Sequence, residues 1–376
     1  MSDESDAVAM PDLDLDRLVG LGLFDPDADD VDDIVEYLRW LAEQGFDLVE
    51  LARTTELEHL GAVTSQMSLR PDARDLAEYG DVGVDPDRLV EIATAFGFDR
   101  ETLALGRYTP REVEVLRAAS EGAALFSDAE TLYFAQVAGA SLARMAEAAV
   151  SLFMVDIEVP MVEAGLSRTE NAIRSQEATA NLQVVLDALD PLFRVHMTQA
   201  IVRLHHAALQ TETAHGVRQA IGFVDLVGFT TLSASLSMVD LSVLVREFEA
   251  RARAVVAECG ARVVKIIGDA VMITAIDPDR LVAAATSLLA EFGSSSRVEA
   301  RGGLTYGDVL VRGGDYYGPV VNLAARLGDL AVPGELLATI EFRQAMTNEL
   351  AFEPAGRRLL KGFAEPVTTV SLIRGS

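Results

Sequence analysis

The spacing of apolar residues changes character along the chain at about residue 216. From residue 34 to residue 208, apolar side chains recur every three or four positions, which predicts amphipathic helices. Asp85, Thr109 and Ser127 precede such segments and are typical N-cap residues. The stretch 125–154 carries few charges, which predicts a helix buried on most sides. We therefore predict an all-helical domain over residues 34–208.

After residue 216, short apolar runs alternate with longer helical periods. The resulting order of elements is β-α-β-β-α-β, which is typical of a ferredoxin-like sheet. The predicted fold class is therefore α+β, with an all-α domain followed by a ferredoxin-like domain. The predicted strands are the run A-I-G-F-V-D-L and residues 261–267, 270–275 and 297–306, and the predicted helices cover residues 239–259 and 279–292.

The domain boundaries are predicted from the same change of pattern. Residues 1–33 are rich in aspartate and have little helical period, so they are expected to form an acidic leader with the composition of a disordered segment. The helical domain at 34–208 is then joined by a linker at 209–219 to the ferredoxin-like domain at 220–376.

One predicted hairpin carries two opposite charges. Residues 263–273 read V-V-K-I-I-G-D-A-V-M-I, in which two apolar runs flank a tight Ile-Gly-Asp step. The chain contains only two lysines, Lys265 and Lys361, so a lysine in this strand is a selective choice. In a ferredoxin-like sheet the first and third strands pair antiparallel, which would bring Asp225 beside Asp269. Two carboxylates at one sheet edge can bind two Mg²⁺ ions for displacement at phosphorus.

Two further segments carry candidate chemistry. The loop after Asp225 reads L-V-G-F-T-T, and its backbone N–H groups, around Phe229 and Thr230, could cradle a phosphate chain. Downstream, Asn322 and Arg326 lie four residues apart in a predicted helix and therefore point from one face. They could orient a sugar and neutralise charge that develops on a phosphoryl group.

With these residues identified, the chain from about residue 220 to its C-terminus resembles the catalytic domain of class III nucleotidyl cyclases. The resemblance rests on three motifs in order, F-V-D-L-V-G-F-T, K-I-I-G-D-A-V-M and G-D-Y-Y-G-P-V-V-N-L-A-A-R-L. It implies an adenylate cyclase that converts ATP into 3',5'-cyclic AMP and pyrophosphate, with two Mg²⁺ or Mn²⁺ ions per active site. It also implies a head-to-tail homodimer, in which the metal-binding aspartates come from one subunit and the other site residues from its partner.

The resemblance also implies a role for each site residue. Lys265 and Asp315 look like the pair that reads adenine, whereas guanylyl cyclases carry an acidic residue and typically a cysteine there, so ATP is favoured over GTP. The other implied roles are metal binding for Asp225 and Asp269, ribose positioning for Asn322, transition-state stabilisation for Arg326, and substrate binding for Phe229, Thr230 and Lys361, the last of these at the triphosphate.

The helical half resembles the regulatory domain of some mycobacterial soluble cyclases that respond to pH, through its length, helicity and placement. Four histidines lie close to the predicted domain boundary, and because histidine is the usual side chain of pH switches, they are a candidate switch. The alternative is that they are ordinary residues of a helix surface. These histidines are His196, His205, His206 and His215.

Charge and composition restrict the function further. The net charge is −28, and residues 1–220 hold 41 acidic and 16 basic residues, so affinity for nucleic acid or anionic lipid is not expected. A single cysteine, Cys259, excludes an intrachain disulfide and fits a reducing, cytoplasmic setting. The opening M-S-D-E-S-D has no secretory signal pattern, and no uninterrupted apolar run reaches the length of a membrane span, so a soluble protein is expected.

Three alternatives remain open from the sequence. The domain could be a guanylyl cyclase. The chain could be a catalytically silent sensor or an acidic transcription regulator that uses residues 34–60. The helical domain could also enclose a lipid or another small-molecule ligand, because apolar helices that line a pocket and apolar helices that form a core have the same pattern.

Overall fold

The computed structural model describes residues 14–49, 51, 69–70, 72–122, 125–208, 216–293 and 299–373. The chain divides into two compact units, Met1–Pro191 and Leu192–Ser376. The division falls inside a long helix, at the proline that interrupts its backbone hydrogen bonding.

The first unit begins with a small helical core. Helix α1 (Leu15–Gly20) and helix α2 (Val31–Glu43) bury Leu18, Leu38 and Leu41 in one cluster. The Asp14 side chain caps α1 by accepting a hydrogen bond from the backbone N–H of Arg17. Residues 14–33 of the predicted acidic leader therefore pack on α2, because the few apolar side chains among the aspartates are enough to dock this segment. Residues 1–13 lie outside the described part of the chain.

A second core forms around α3 (Pro86–Ala95), α4 (Arg100–Leu105) and α5 (Pro110–Gly122). It includes Leu89, Ile92 and Leu116. Two short strands, β1 (Arg74–Asp75) and β2 (Arg107–Tyr108), pair antiparallel beside it, and a 3₁₀ turn covers Leu76–Tyr79. The domain is thus not all-helical as predicted, because its described residues include this one pair of short strands.

The rest of the first unit is helical, and its last helix continues into the second unit. Helix α6 (Asp128–Phe153) continues through a π-helical turn (Met154–Glu158) into α7 (Val159–Glu163), and α8 follows (Arg168–Ala208). Only Ala135 and Gly139 of α6 are buried, so the prediction of a helix buried on most sides is wrong. Asp128–Met161 is the one described segment long and apolar enough to cross a bilayer by length and composition, and 6% of its apolar window is buried. Core helices of soluble proteins share that length and composition.

The second unit is built on one mixed sheet with the strand order β4-β5-β3-β6-β8-β10-β9 in the described residues, and β7 pairs with β6 outside this path. All of its neighbouring strands pair antiparallel except β6 and β8, which are parallel. The strands are β3 (Val217–Val227), β4 (Arg262–Ile267), β5 (Ala270–Ala275), β6 (Glu299–Arg312), β7 (Asp315–Tyr317), β8 (Glu335–Thr339), β9 (Glu353–Arg358) and β10 (Val367–Ile373), and the helices are α9 (Phe229–Ser233), α10 (Met238–Glu258), α11 (Pro278–Gly293), α12 (Pro319–Leu330) and α13 (Ile340–Ala345).

The order β3-α-β4-β5-α11-β6 confirms the predicted ferredoxin-like core, to which β7 to β10 are added. Alternation along β3 buries Val224 against α10 and α11 and Ile221 on the opposite face of the sheet. The predicted linker at 209–219 ends too late, because Val217 already pairs with Val309 of β6 and is buried. Residues 209–215 lie outside the described part of the chain.

Candidate active site

Two aspartates meet at one end of the β3–β5 strand pair. Asp225 of β3 lies opposite Ala270, the first residue of β5, so Asp269 in the preceding turn becomes its neighbour. Gly268 has a φ of 63° in that turn, a left-handed conformation that glycine adopts without strain. The predicted approach of Asp225 and Asp269 is therefore confirmed by the strand register.

The Asp225 carboxylate is affected by burial and by the charges around it. Burial raises the pKa of Asp225, and the negative charge of Asp269 raises it further, while the nearby Arg301 guanidinium lowers it in part. Mg²⁺ usually takes one or two carboxylates together with water and substrate phosphates. A half-buried carboxylate pair with excess negative charge fits this donor set. Within the described residues, no cluster of three or more His, Cys, Asp or Glu side chains forms an all-protein metal site.

Arg301 is a site residue that was not predicted from the sequence. It lies opposite Asp225 in the β3–β6 register, and its Nη2 is 3.3 Å from Asp225 Oδ2. Its Nη1 donates to the carbonyl oxygens of Asp329 at 2.9 Å and Ala331 at 3.2 Å. Arg301 therefore ties the carboxylate pair to the end of α12. The antiparallel pairing of the first and fourth strands, with arginine in the otherwise apolar run R-G-G-L, was the signal that could have identified it.

A second charged pair lies on strands far apart in sequence. Lys265 of β4 and Asp315 of β7 form an ion pair, in which Lys265 Nζ donates to Asp315 Oδ2. The other oxygen of Asp315 accepts a hydrogen bond of 2.8 Å from the backbone N–H of Tyr316. The structure therefore brings together the two residues that the sequence assigned to one base-reading pair. The Lys265 side chain is 40% exposed, so this ion pair lies at the surface of the unit.

Helix α12 presents the two other predicted polar residues to solvent. Asn322 and Arg326 are both exposed, one turn apart on the same side, whereas Ala324 and Leu327 are buried beneath the helix. Arg326 Nη1 lies 3.1 Å from Asp329 Oδ2. The predicted helix and the shared face of Asn322 and Arg326 are confirmed.

Close packing fixes the position of α12 on the sheet. Gly303 of β6 lies directly beneath the helix, and a Cβ atom there would be 2.2 Å from the carbonyl oxygen of Ala324 and 2.4 Å from the backbone nitrogen of Gly328. Only glycine permits this approach, because real side-chain atoms do not come within 3.0 Å of such neighbours. Gly303 thus determines how close Asn322 and Arg326 lie to the sheet.

The remaining predicted substrate-binding residues lie in two separate segments, the short helix α9 and a turn near the C-terminus. Phe229 begins α9, and its ring centre lies 6.4 Å from that of Phe248 in the core, so its side chain is used for packing. Thr230 follows in the same short helix, and its side chain lies outside the described part. Lys361 is exposed in the turn between β9 and β10.

Three of the four histidines lie on α8. His196, His205 and His206 are exposed. His215 lies outside the described residues. Exposed histidines on a long helix agree equally with a switch and with an ordinary helix surface, so their role stays a prediction.

Comparison with known proteins agrees with this geometry. A family described as the adenylate and guanylate cyclase catalytic domain matches residues 213–374. An uncharacterised protein of Mycobacterium tuberculosis is 31% identical over 366 residues, which cover 96% of this chain and 94% of that protein. An adenylate cyclase of Streptomyces coelicolor is 32% identical over 225 residues, or 60% of this chain and 58% of its own length. A pH-sensitive adenylate cyclase of Mycobacterium tuberculosis is 27% identical over 358 residues, covering 90% of this chain and 87% of its own. The chain therefore belongs to the adenylate and guanylate cyclase family, with its catalytic domain in the second unit.

Proposed function

We propose that the protein is an adenylate cyclase that converts ATP into 3',5'-cyclic AMP and pyrophosphate. The observation that carries this proposal is that Asp225 and Asp269 lie next to each other at the end of the β3–β5 strand pair, beside Arg301. Anionic and cationic groups side by side at a sheet edge suit a substrate that brings both a triphosphate and divalent cations. The relatives named adenylate cyclase support the same activity.

Asp225 and Asp269 would hold two Mg²⁺ or Mn²⁺ ions. When bound, these ions would lower the pKa of the ribose 3'-hydroxyl and neutralise charge on the phosphates. Arg301, which contacts Asp225, is placed to contact phosphate oxygens once metal satisfies the carboxylate.

The other residues act on the nucleotide. Lys265 would donate to the adenine ring and Asp315 would accept from its exocyclic amine, and the ion pair between them supports adenine over guanine as the base. Asn322 would orient the ribose and Arg326 would stabilise charge on the α-phosphate during attack by the 3'-oxygen. Phe229 and Thr230 through their backbone, and Lys361 through its ammonium, would bind the triphosphate.

We further propose that the working form is a head-to-tail homodimer. One chain carries one complete set of the site residues. In the resembled family, the two aspartates of a site come from one subunit and the base-reading pair comes from the other. The first unit would regulate this dimer. The candidate pH sensors follow Pro191 and lie at the start of the second unit, and they are His196, His205, His206 and His215. The similarity to a pH-sensitive relative over most of both chains supports this assignment.

The central test measures cyclic AMP formed from ATP by the purified full chain with Mg²⁺ or Mn²⁺. We expect Asp269→Ala to lower the rate by at least about 10³-fold, because a missing carboxylate removes much of the metal site. Asp308→Asn is the matched control, since Asp308 of β6 pairs with Arg218 at the opposite end of β3 from Asp225, and such exposed pairs contribute little. Equal product from wild type and Asp269→Ala, or none from wild type with either metal between pH 5.5 and 8, would refute the proposal.

The regulatory part has its own test in the full chain. Replacing His205 and His206 together by glutamine should flatten the pH profile of cyclase activity between pH 5.5 and 8 if they are the sensors. Unchanged profiles in this variant and in His196→Gln and His215→Gln would remove the histidines from the regulatory mechanism and leave the catalytic proposal intact.

A further inference from the structure

A second contact beside the Lys265–Asp315 pair has no role in the function proposed above. Arg262, three residues before Lys265 on β4, donates from Nη2 to the hydroxyl of Tyr316 at 3.2 Å. Its guanidinium also lies 5.6 Å from the centre of the Tyr316 ring, within the range of a cation–π interaction. Tyr316 is the residue directly after Asp315. Neighbouring residues of β7 thus contact neighbouring basic residues of β4.

A bulge in β4 makes this double contact possible. Residues three apart in a regular strand point to opposite faces. The register shifts between Val263 and Lys265, so that Arg262 lies opposite Thr274 and Lys265 lies opposite Met272. Since Thr274 and Met272 are two apart on β5, Arg262 and Lys265 share one face.

The two contacts join polar side chains of β4 and β7. In the sheet β7 pairs only with β6 among the described strands, and β4 pairs only with β5. Tyr316 is 6% exposed, so its position is set by packing, whereas Lys265 is 40% exposed and depends on its partner. The buried contact can therefore hold the more exposed one in register.

Helix α8 reaches the same contact within the second unit. Ala207 of α8 is fully buried in one cluster with Tyr316, Met272 and Ile221. Arg203 lies one helical turn earlier, on the same side as Ala207. Burial lowers the pKa of Arg203, the nearby Arg262 guanidinium lowers it further, and Tyr316 raises it. The helix therefore brings the positive charge of Arg203 to the side of the sheet on which Tyr316 is buried.

In residues 216–293 and 299–373, no carboxylate is within ion-pair distance of Arg203 or Arg262. The Nε of Arg262 is buried without a hydrogen-bond partner in the described structure. Tyr316 is thus the polar group that Arg262 contacts, and the distance of the like charge of Arg203 from Arg262 depends on where α8 docks.

We propose that Arg262 and Tyr316 are positioning residues for the Lys265–Asp315 pair, and that Arg203 of α8 acts on base recognition through them. This inference rests on the proposed function, because it concerns the pair that reads the base. It makes the docking of α8, the helix that joins the two units in the chain, a determinant of substrate affinity and specificity.

The first experiment compares Tyr316→Phe with Tyr317→Phe in the full chain. Tyr316→Phe removes only the hydroxyl and keeps the ring in its cluster. We expect it to raise the KM for ATP about three- to tenfold, to reduce the preference for ATP over GTP, and to leave kcat within about twofold, because one hydrogen bond to a charged group is lost. Tyr317 is 49% exposed, so Tyr317→Phe should match wild type. Partial unfolding would instead lower kcat with KM unchanged, and thermal unfolding curves record it separately.

The second experiment tests the link to α8. Arg203→Met removes the like charge while keeping a long apolar side chain, and should lower the KM for ATP about two- to threefold in the wild-type background. It should have no effect when Tyr316 is already phenylalanine, since the effect passes through the shared contact. Additive effects of the two substitutions would remove Arg203 from the proposal.

The outcomes separate this inference from the function on which it rests. If wild type and Tyr317→Phe form cyclic AMP and Tyr316→Phe has the same KM and the same preference for ATP, the positioning role is wrong and the cyclase assignment stands. If wild type forms no cyclic AMP under any condition tested above, both are overturned.

Discussion

The two units differ in how much of their apolar surface they cover themselves. In the second unit, the central strands bury Ile221, Met272 and Leu304 completely, and helices pack on the sheet. In the first unit, the described cores are small and separate, and α6 leaves Leu142 51% and Leu152 64% exposed. The catalytic unit is thus a self-contained core, whereas the hydrophobicity of the helical unit is not explained by its own packing.

This difference explains why the site could be inferred more reliably than the helical unit. In a self-contained core, the face on which each residue lies follows from the strand period and from neighbouring strands. In a helix such as α6, an apolar composition indicates burial, but it does not indicate which surface buries it. The same type of pattern therefore led to correct predictions in one unit and to a wrong one in the other.

The strongest test of the comparison is the close approach at Gly303. Gly303→Ala should reduce cyclase activity by at least about 100-fold, because α12 must move by about 1 Å or more and carries Asn322 and Arg326 with it. Stability should fall by about 3 kcal/mol from overpacking. Steady-state kinetics and denaturant unfolding measure the two effects.

The matched control for this substitution is Gly20→Ala in α1. A Cβ atom at Gly20 meets nothing within 4 Å, and alanine is a better helix former than glycine, so this variant should keep wild-type activity and stability. Gly314 is less suitable, because its φ of 79° strains any other side chain. If Gly303→Ala retains wild-type activity, the rigid placement of α12 is not required for catalysis.

The second test compares a buried and an exposed leucine within the first unit. Leu38→Ala should lower the free energy of unfolding of that unit by about 2–5 kcal/mol, because Leu38 is fully buried on α2. Leu142→Ala on α6 should change it by no more than about 0.5 kcal/mol, since the side chain is 51% exposed and alanine is an equally good helix former. Urea unfolding followed by circular dichroism measures both.

A large loss of stability in Leu142→Ala would mean that α6 is covered in solution, and would reduce the contrast between the units. A small loss in both variants would instead show that the first unit contributes little to the measured transition.

The third test concerns a pH dependence that belongs to the catalytic unit alone. In the metal-free protein, Asp269→Asn should lower the pKa of Asp225, because burial would remain but the repulsion from Asp269 would be gone. A folded-state pKa above the usual 3.8 means that Asp225 contributes stability at low pH which is lost as the pH rises through that pKa. Carboxyl ¹³C chemical shifts of labelled aspartate, followed from pH 3 to pH 7, measure the change.

The contrary result is an Asp225 titration that is unchanged in Asp269→Asn. It would show that burial alone raises the pKa and that the two carboxylates are too far apart to share a metal site. The matched substitution Asp308→Asn should leave the titration of Asp225 unaltered in either case.

Local elements and the order in which they occur could be predicted from the sequence. The Ile-Gly-Asp step between two apolar runs specified the β4–β5 hairpin, and the four-residue spacing of Asn322 and Arg326 specified one helical face. The β-α-β-β-α-β order then implied that Asp225 and Asp269 meet. These features were predictable because they depend on backbone periods and on a common topology.

Contacts between distant side chains required the three-dimensional fold. The contact of Arg301 with Asp225 depends on the β3–β6 register, the closeness of α12 depends on the missing Cβ of Gly303, and the link from Arg262 to Tyr316 depends on a bulge in β4. The exposure of α6 likewise results from how the helices pack. Such contacts join residues that are tens of positions apart, and their geometry depends on register and packing that no local period encodes.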